Sequence, residues 1–218
     1  MDSYQNRAIL HKLYILRELG VKYIDPISIN EPSSIELPNN FKDLKQTALN
    51  CHLCNLSKVR KQVLFGEGDE NSDIFFVTDY VCPTTDDANS FYAGRSGELF
   101  TNMVQNVLEI SINSVYITHA LKCKLPINSQ PSQAQLLSCK PYLLHEIELV
   151  KPKLVITLGE ASYFYLTGDN SDLQQIHGQQ INRNSYTIIP TFHPAFLLRN
   201  PSMKKMAFND LKIIKECM

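Results

Sequence analysis

Four of the six cysteines have a spacing that suits a metal centre. Cys51 and Cys54 form a C-x-x-C pair inside a polar stretch, and Cys123 and Cys139 lie in two later segments. Four thiolates from three segments can hold a tetrahedral zinc ion or a [4Fe–4S] cluster, and the spacing alone does not choose between them. A third interpretation, ordinary buried cysteines, is disfavoured by the polar neighbours of the C-x-x-C pair. The other two cysteines are predicted to be free thiols.

Three residues with carboxylate or imidazole side chains stand near the ends of short runs rich in β-branched and aromatic residues. Asp79 and His119 stand at the ends of two such runs, and His193 follows a third, directly before Pro194. Such groups donate or accept hydrogen bonds and position water. The carboxyl ends of parallel strands meet at one edge of a sheet, where ligands usually bind. We therefore predict the functional site at that edge.

The elements that must position these residues alternate between strand-like and helix-like patterns. The predicted strands are Asp73–Thr78, Val115–His119, Lys153–Leu158 and Tyr186–Thr191. The segments between them with helical periodicity are Gly97–Glu109, Gln133–Val150 and Glu160–Leu166. Strands that alternate with helices in this way predict an α/β fold with a mainly parallel sheet and helices on both of its faces.

Residues 1–40 are predicted to be an appendage to a domain that spans residues 41–218. A helix is predicted over residues 7–19, where apolar side chains share one face, and Gly20 ends it. A polar stretch with three prolines then indicates a linker. This helix could act as a clamp or a partner-binding element, but the favoured interpretation is that it packs on the domain.

The composition is that of an ordinary globular protein and excludes several classes. The 218 residues are 44% hydrophobic and 20% charged, and 21 Lys and Arg balance 22 Asp and Glu. This balance argues against a histone-like polycation but leaves room for a local basic groove. No apolar run reaches the roughly 18 residues of a membrane span, and the charged N-terminus lacks a secretion signal. We therefore expect a cytoplasmic protein without a membrane partner, where metal ligation is a better role for cysteines than disulfides.

Six segments of the chain, in order, carry a resemblance to a known family. They are CHLCNLSKVR, FGEG, VYITHALKCKLP, CKPYL, PKLVITLG and TFHPAFLLRNP, and the match runs from about residue 48 to residue 215. In this order they resemble the iron–sulfur-containing family-four uracil-DNA glycosylases. The resemblance implies a three-layer α/β/α fold with a four-stranded, mainly parallel sheet. It also implies a [4Fe–4S] cluster on Cys51, Cys54, Cys123 and Cys139.

The activity that the resemblance implies is DNA base excision repair. A monofunctional enzyme of this family flips uracil out of DNA and hydrolyses its N-glycosidic bond. The target base is hidden in the duplex, so such an enzyme needs a pocket for the flipped nucleotide. The implied partner is uracil-containing DNA, single- or double-stranded, and we expect the protein to be a monomer.

The chain departs from the family pattern at two places that would meet the flipped base. The family's first loop resembles VGEAPGxxED and ends in PFVGRAG, whereas this chain has VTDYVCPTTD and then FYAGRSG. Asp79 therefore replaces a glutamate, Thr85 replaces another, and Asp86 is retained. His119 stands where the family has asparagine. A neutral imidazole carries its donor and acceptor on opposite sides, so it pairs with only one of the two uracil atoms that an amide reads together.

The resemblance and the chemistry of base removal together predict a role for each candidate residue. His193 would donate a hydrogen bond to uracil O2 as negative charge develops there. Asp79 or Asp86 would stabilise the cationic sugar or position water. Tyr92, at the position of the family's phenylalanine, would stack on the base, and His119 would contact its edge.

A DNA-binding surface is predicted next to His193. Residues 193–218 and residues 119–153 each carry a net charge of +3, whereas residues 67–98 hold eight acidic residues and one arginine. Segregated charge is expected if one face meets DNA. The predicted wedge that fills the space left by the flipped base is Phe196, Leu197 and Leu198. The predicted phosphate contacts are Arg199, Lys204 and Lys205.

Two other functions stay open from the sequence. The altered loop over residues 78–82 favours an iron–sulfur DNA-binding protein with a lapsed active site, which would recognise damaged or structured DNA without excising a base. A small-molecule hydrolase built on the same sheet is a weaker alternative. Excision of uracil from an oligonucleotide would separate the enzyme from the other two.

Overall fold

A computed structural model describes residues 37–126, 129–183 and 185–218. These residues belong to one unit, Leu37–Met218. The first described helix begins at Phe41, the predicted start of the domain. The predicted N-terminal helix lies outside the described residues, so the division of the chain at residue 40 stays a prediction.

The core of the fold is a sheet with the strand order β1-β3-β2-β4-β6-β5. The strands are β1 Glu67–Gly68, β2 Ile74–Tyr80, β3 Tyr116–Leu121, β4 Leu154–Leu158, β5 Ile181–Asn182 and β6 Thr187–Thr191. The four central strands are parallel to one another, and β1 and β5 pair antiparallel at the two edges. The predicted four-stranded parallel sheet is therefore confirmed. The two added strands have two residues each, too few for an alternating pattern to show in the sequence.

Helices cover both faces of this sheet. They are α1 Phe41–Leu49, α2 Pro83–Ala88, α3 Gly94–Asn102, α4 Gln133–Val150, α5 Glu160–Thr167, α6 Leu173–Ile176, α7 Pro194–Arg199 and α8 Lys204–Glu216. A π-helical turn, Met103–Leu108, continues α3 and completes the helix that the periodicity predicts. In the described parts of the chain, no helix is long and apolar enough to cross a membrane.

The core has two layers because neighbouring strand residues point to opposite faces of the sheet. Phe76, Ile156 and Ile189 pack with residues of α3 and α8 on one face. On the other face, Phe75 and Val155 pack with residues of α4 and α5. All five residues of β4 are buried, as expected for a parallel strand covered on both sides. The predicted three-layer α/β/α fold is confirmed.

A buried ion pair joins β3 to α4. The side chains of Lys122 and Glu146 are 2% and 0% exposed, and Lys122 Nζ lies 2.5 Å from Glu146 Oε2. Lys122 also donates to Thr118 Oγ1 at 2.7 Å, and the Tyr116 hydroxyl donates to Glu146 Oε1 at 3.1 Å. The network satisfies both charges, and it ties α4 to the chain segment that carries Cys123.

Removal of one partner of this pair should destabilise the protein strongly. Glu146→Ala leaves the Lys122 ammonium buried without a counter-charge, which typically costs about 3–5 kcal/mol. Glu148→Ala is the matched control, because Glu148 is 71% exposed in its pair with His145 and should cost less than about 1 kcal/mol. Urea unfolding of both variants measures the difference. Equal unfolding free energies would contradict a structural role for the buried pair.

Candidate active site

The carboxyl ends of β2, β3 and β6 bring three polar side chains together. Thr78 of β2 is directly opposite His119 of β3 in the sheet register, and His193 follows β6. These three residues and Phe91 line a cavity of about 110 Å³. The predicted location of the site at the ligand-binding edge of the sheet agrees with this arrangement.

The orientation of His193 is set by the start of α7. His193 is the N-cap of this helix, and its Nδ1 accepts a hydrogen bond from the backbone N–H of Ala195 at 3.0 Å. Since Nδ1 is an acceptor, the proton of the neutral ring is on Nε2. Loss of solvation, with a smaller effect from Arg199, lowers the pKa of His193 to about 4. At neutral pH the ring is therefore uncharged, and Nε2–H points to Thr78 Oγ1 at 2.9 Å.

His119 presents unused hydrogen-bonding groups to the same cavity. The residue is 4% exposed, and neither ring nitrogen has a partner among the residues that the structure describes. Its ring stacks on Phe91 with 4.4 Å between the ring centres. Burial, aided by the charges of Lys122 and His193, places the pKa of His119 well below its usual value. A neutral, unpartnered imidazole in a closed pocket suits the recognition of a polar ligand edge.

Asp79 faces a second and larger cavity of about 600 Å³, which His193 also lines. Its Oδ1 accepts a hydrogen bond from the backbone N–H of Ser162 at 2.9 Å. Burial raises the pKa of Asp79 to about 7, and this hydrogen bond opposes the shift. Gly159 has a positive φ of 97°, and a Cβ atom there would lie 3.2 Å from His193 Cβ. A glycine at this position thus lets Asp79 and His193 approach each other.

Two of the residues predicted to act on the base or the sugar lie outside the linings of both cavities. Tyr92 stacks on Phe100 with 6.2 Å between ring centres, while its neighbour Phe91 lines the smaller cavity. Asp86 is 1% exposed, and its Oδ2 accepts from Lys124 Nζ at 3.3 Å. This pairing favours a structural role for Asp86.

The predicted DNA-binding residues occupy α7 and the start of α8. Leu197 is 2% exposed and packs in the core, because it lies on the inner side of α7. This burial removes Leu197 from the predicted wedge. Phe196 lines the larger cavity, and Leu198 is half-buried. The exposed cations next to them are Arg199, Lys204 and Lys205.

The four cysteines lie in one region, away from both cavities. The thiols of Cys51 and Cys54 are close enough to Cys123 to favour a higher pKa for its thiol, although burial contributes most of the rise. Cys54, Cys123 and Cys139 pack in one small apolar cluster. Arg60 Nη1 donates to Cys123 Sγ at 3.6 Å. Within the described ranges, no three His, Cys, Asp or Glu side chains are grouped as ligands of a single metal ion.

A sequence model of the uracil DNA glycosylase superfamily matches residues 65–212. The chain belongs to this superfamily. It is 30% identical over 186 residues to a type-4 uracil-DNA glycosylase of Sulfurisphaera tokodaii, which covers 82% of this chain and 84% of the relative. It is 32% identical over 176 residues to a type-4 enzyme of Saccharolobus solfataricus, covering 77% and 82%. A type-4 enzyme of Thermotoga maritima is 30% identical over 169 residues, covering 76% and 88%. The predicted family resemblance is confirmed.

Two residues of this glycosylase site were not predicted from the sequence. Thr78 lies at the end of a predicted strand and reads as part of the core, yet its hydroxyl contacts His193. The signal for Thr78 was its place in the family's glycine-rich loop, where VTD replaces VGE. Phe91 precedes Tyr92, and no pattern tells which of two neighbouring aromatic residues faces a cavity.

The Asp79 carboxyl should titrate near neutral pH. The carboxyl is predominantly protonated below about pH 7 and becomes charged as the pH rises through that value. The charged groups of the same cavity are Glu160, Asp172 and Arg199, with neutral His193 beside them. Carbon-13 NMR of the aspartate carboxyl groups measures the midpoint, and the signal lost in Asp79→Asn assigns it. A midpoint near 4 would show that Asp79 is solvated.

Proposed function

We propose that the protein removes uracil from DNA by hydrolysis of the N-glycosidic bond, as the first step of base excision repair. The observation that carries this proposal is the small cavity at the sheet edge, where a neutral imidazole donor and an unpartnered histidine face each other. A cavity of about 150 Å³ can bind benzene, so about 110 Å³ is the scale of one ring. The cavity suits a flipped base and is too small for a whole nucleotide.

In the proposed reaction, departure of the base and attack of water take place in different cavities. In the smaller cavity, the bond between sugar C1′ and uracil N1 breaks, and the electron pair leaves with the uracil ring. The donor supplied by His193 stabilises the charge on that ring. On the side of the larger cavity, Asp79 positions a water molecule. The water oxygen bonds to C1′, and Asp79 accepts one of the water protons. That proton leaves to the uracil anion or to solvent, and the products are uracil and an abasic site.

Recognition of the base is assigned to His119 and to an aromatic side chain. His119 lines the cavity, and neither of its ring nitrogens has a partner among the described residues, so one of the two can pair with the base. Phe91 lines the cavity and supplies a ring face, and Tyr92, one residue further, stays the platform predicted by the family pattern. Asp86 stays a second candidate for the acidic role, although its pairing with Lys124 favours Asp79.

We assign DNA binding to the surface beside α7. Phe196 and Leu198 are half-buried and available as a wedge, and Arg199, Lys204 and Lys205 are exposed cations for phosphates. The larger cavity, of about 600 Å³, has room for the sugar and its flanking nucleotides. We propose that the protein acts as a monomer. Free cysteines throughout the described chain are compatible with our proposal of a cytoplasmic protein.

The test of this function is excision from an oligonucleotide with a single uracil, followed by alkali and a denaturing gel. Strand breaks at uracil are expected with single- and double-stranded substrates. His193→Ala should lower the single-turnover rate by about 10²–10³. His145→Ala is the control, because it removes an imidazole outside both cavities. A shift of DNA mobility without breaks would contradict the enzyme and support the DNA-binding protein with a lapsed site.

We also propose that Cys51, Cys54, Cys123 and Cys139 hold a [4Fe–4S] cluster. The four thiols lie in one region of the fold, as the ligands of one cluster must, and the family resemblance favours the cluster over zinc. Leu56, a neighbour of these thiols in the apolar cluster, is 1% exposed, and Cys123 is buried, whereas Cys51, Cys54 and Cys139 are half-buried. When bound, the cluster supplies covalent links between distant segments and a redox-active centre. The thiolates serve as anchors for the loop before β1, the end of β3 and α4.

The purified protein should be brown and contain about four iron and four sulfide per chain. Cys139→Ser should lower iron content and thermal stability together, since one of the four anchors is lost. Cys217→Ser is the control, because this half-buried thiol lies at the end of α8, outside the thiol region. Iron and sulfide assays and thermal melts measure both effects. One zinc per chain in a colourless protein would contradict the cluster.

His119→Asn should increase the preference for uracil over cytosine. An amide can donate to uracil O4 and accept from N3–H together, whereas a neutral imidazole pairs with only one of them. One more hydrogen bond in a dry pocket is worth roughly 1–3 kcal/mol, or about ten- to a hundredfold in selectivity. Single-turnover rates on uracil and cytosine substrates measure it. Loss of activity with unchanged preference would show that His119 acts in catalysis rather than recognition.

A further inference from the structure

The Thr78 hydroxyl bonds to His193 at the wall of the smaller cavity, which both residues line. His193 Nδ1 accepts from Ala195 N–H, so Nε2 carries the only N–H of the neutral ring. That N–H points to Thr78 Oγ1 at 2.9 Å, and Thr78 is therefore the acceptor of this bond. The hydroxyl proton of Thr78 cannot be used in the same bond.

This hydroxyl proton is an unused donor beside the cavity. Thr78 is 5% exposed and lines the cavity with His119 and His193. In the described part of the chain, His193 is the only hydrogen-bond partner of the Thr78 hydroxyl. A buried hydroxyl that accepts one hydrogen bond and donates none can donate to a ligand that enters the cavity.

We propose that Thr78 is the catalytic donor that touches the leaving uracil, and that His193 acts through it. The chain of hydrogen bonds runs from His193 Nε2–H to Thr78 Oγ1, and from the Thr78 hydroxyl to uracil O2. No proton is transferred along this chain of hydrogen bonds. The bond between C1′ and N1 breaks, the electron pair stays on uracil, and His193 and Thr78 each keep their proton. The bond from His193 polarises the hydroxyl and strengthens its donation, as expected for consecutive hydrogen bonds.

The backbone position of Thr78 keeps its hydroxyl next to His193. Thr78 lies within β2 and is paired with His119 of β3, and a β-branched side chain has few rotamers. The hydroxyl therefore cannot easily swing away to expose the imidazole N–H to the base. The family pattern has glycine here, with no side chain between the imidazole and the base. In this chain the added hydroxyl extends the donor into the cavity.

The test compares single-turnover excision by four Thr78 variants with excision by His193→Ala alone, and it rests on the proposed function. Thr78→Val keeps the shape and removes the hydroxyl, so the rate should fall by about 10²–10³. Thr78→Ser keeps the hydroxyl and should stay within about tenfold of the unmodified protein. His193→Ala in the Thr78→Val background should add less than about threefold, because the chain of donors is already broken. Thr78→Ala removes the same hydroxyl and replaces Thr78→Val if that variant does not fold.

Two results would overturn this role. One is a Thr78→Val rate within about threefold of the unmodified protein. The other is a His193→Ala loss that is as large in the Thr78→Val background as alone, since His193 would then act independently of Thr78. In both cases the unmodified protein still excises uracil, so only the role of Thr78 fails. Absence of excision by the unmodified protein would instead reject the proposed function and this role together.

Discussion

The hydrogen bond from Ala195 N–H to His193 Nδ1 decides how the active site works. Pro194 has no N–H, so the first free amide of α7 belongs to Ala195, and His193 satisfies it as the N-cap. This one contact orients the imidazole and assigns its proton to Nε2. Burial keeps the ring neutral, so the site offers a donor rather than a charge.

The parallel sheet then places His193 between the smaller and the larger cavity, both of which it lines. β2 and β3 end side by side, which puts Thr78 and His119 on the wall of the smaller cavity. Asp79, one residue after Thr78, points to the larger cavity, since neighbouring residues of a strand face opposite ways. In the proposed reaction, base recognition and water attack therefore occupy opposite sides of His193. Because Gly159 has no side chain, no Cβ atom lies between Asp79 and His193.

The cluster region and the catalytic edge are joined through the buried pair of Lys122 and Glu146. Lys122 lies directly before Cys123, and its ammonium also donates to the carbonyl of His119 at 3.2 Å. The same side chain thus contacts the strand that carries His119 and the helix that carries Cys139. The proposed cluster would therefore stabilise the position of His119 through the fold.

The sequence predicted the secondary-structure elements better than it predicted the side-chain contacts. The central strands follow their hydrophobic patterns closely, because burial on both faces dictates apolar residues there. The observed bounds of α4 are those that its periodicity predicts. The position of His193 at the sheet edge was also predictable from the strand before it and Pro194 after it. The sequence did not predict which side of a short element a residue faces. Leu197 faces the core from α7, and Phe91 rather than Tyr92 lines the smaller cavity, because the packing of a short helix or turn on its neighbours sets these directions.

The most direct test is a crystal structure with DNA that carries an uncleavable uracil nucleotide. The central claim is that uracil enters the smaller cavity, on the His119 side of His193. The expected structure has the uracil ring against Phe91 or Tyr92, its edge at His119, and its O2 within hydrogen-bond distance of Thr78 Oγ1. The sugar then lies toward Asp79. Uracil bound in the larger cavity, beyond reach of both Thr78 and His119, would contradict the account.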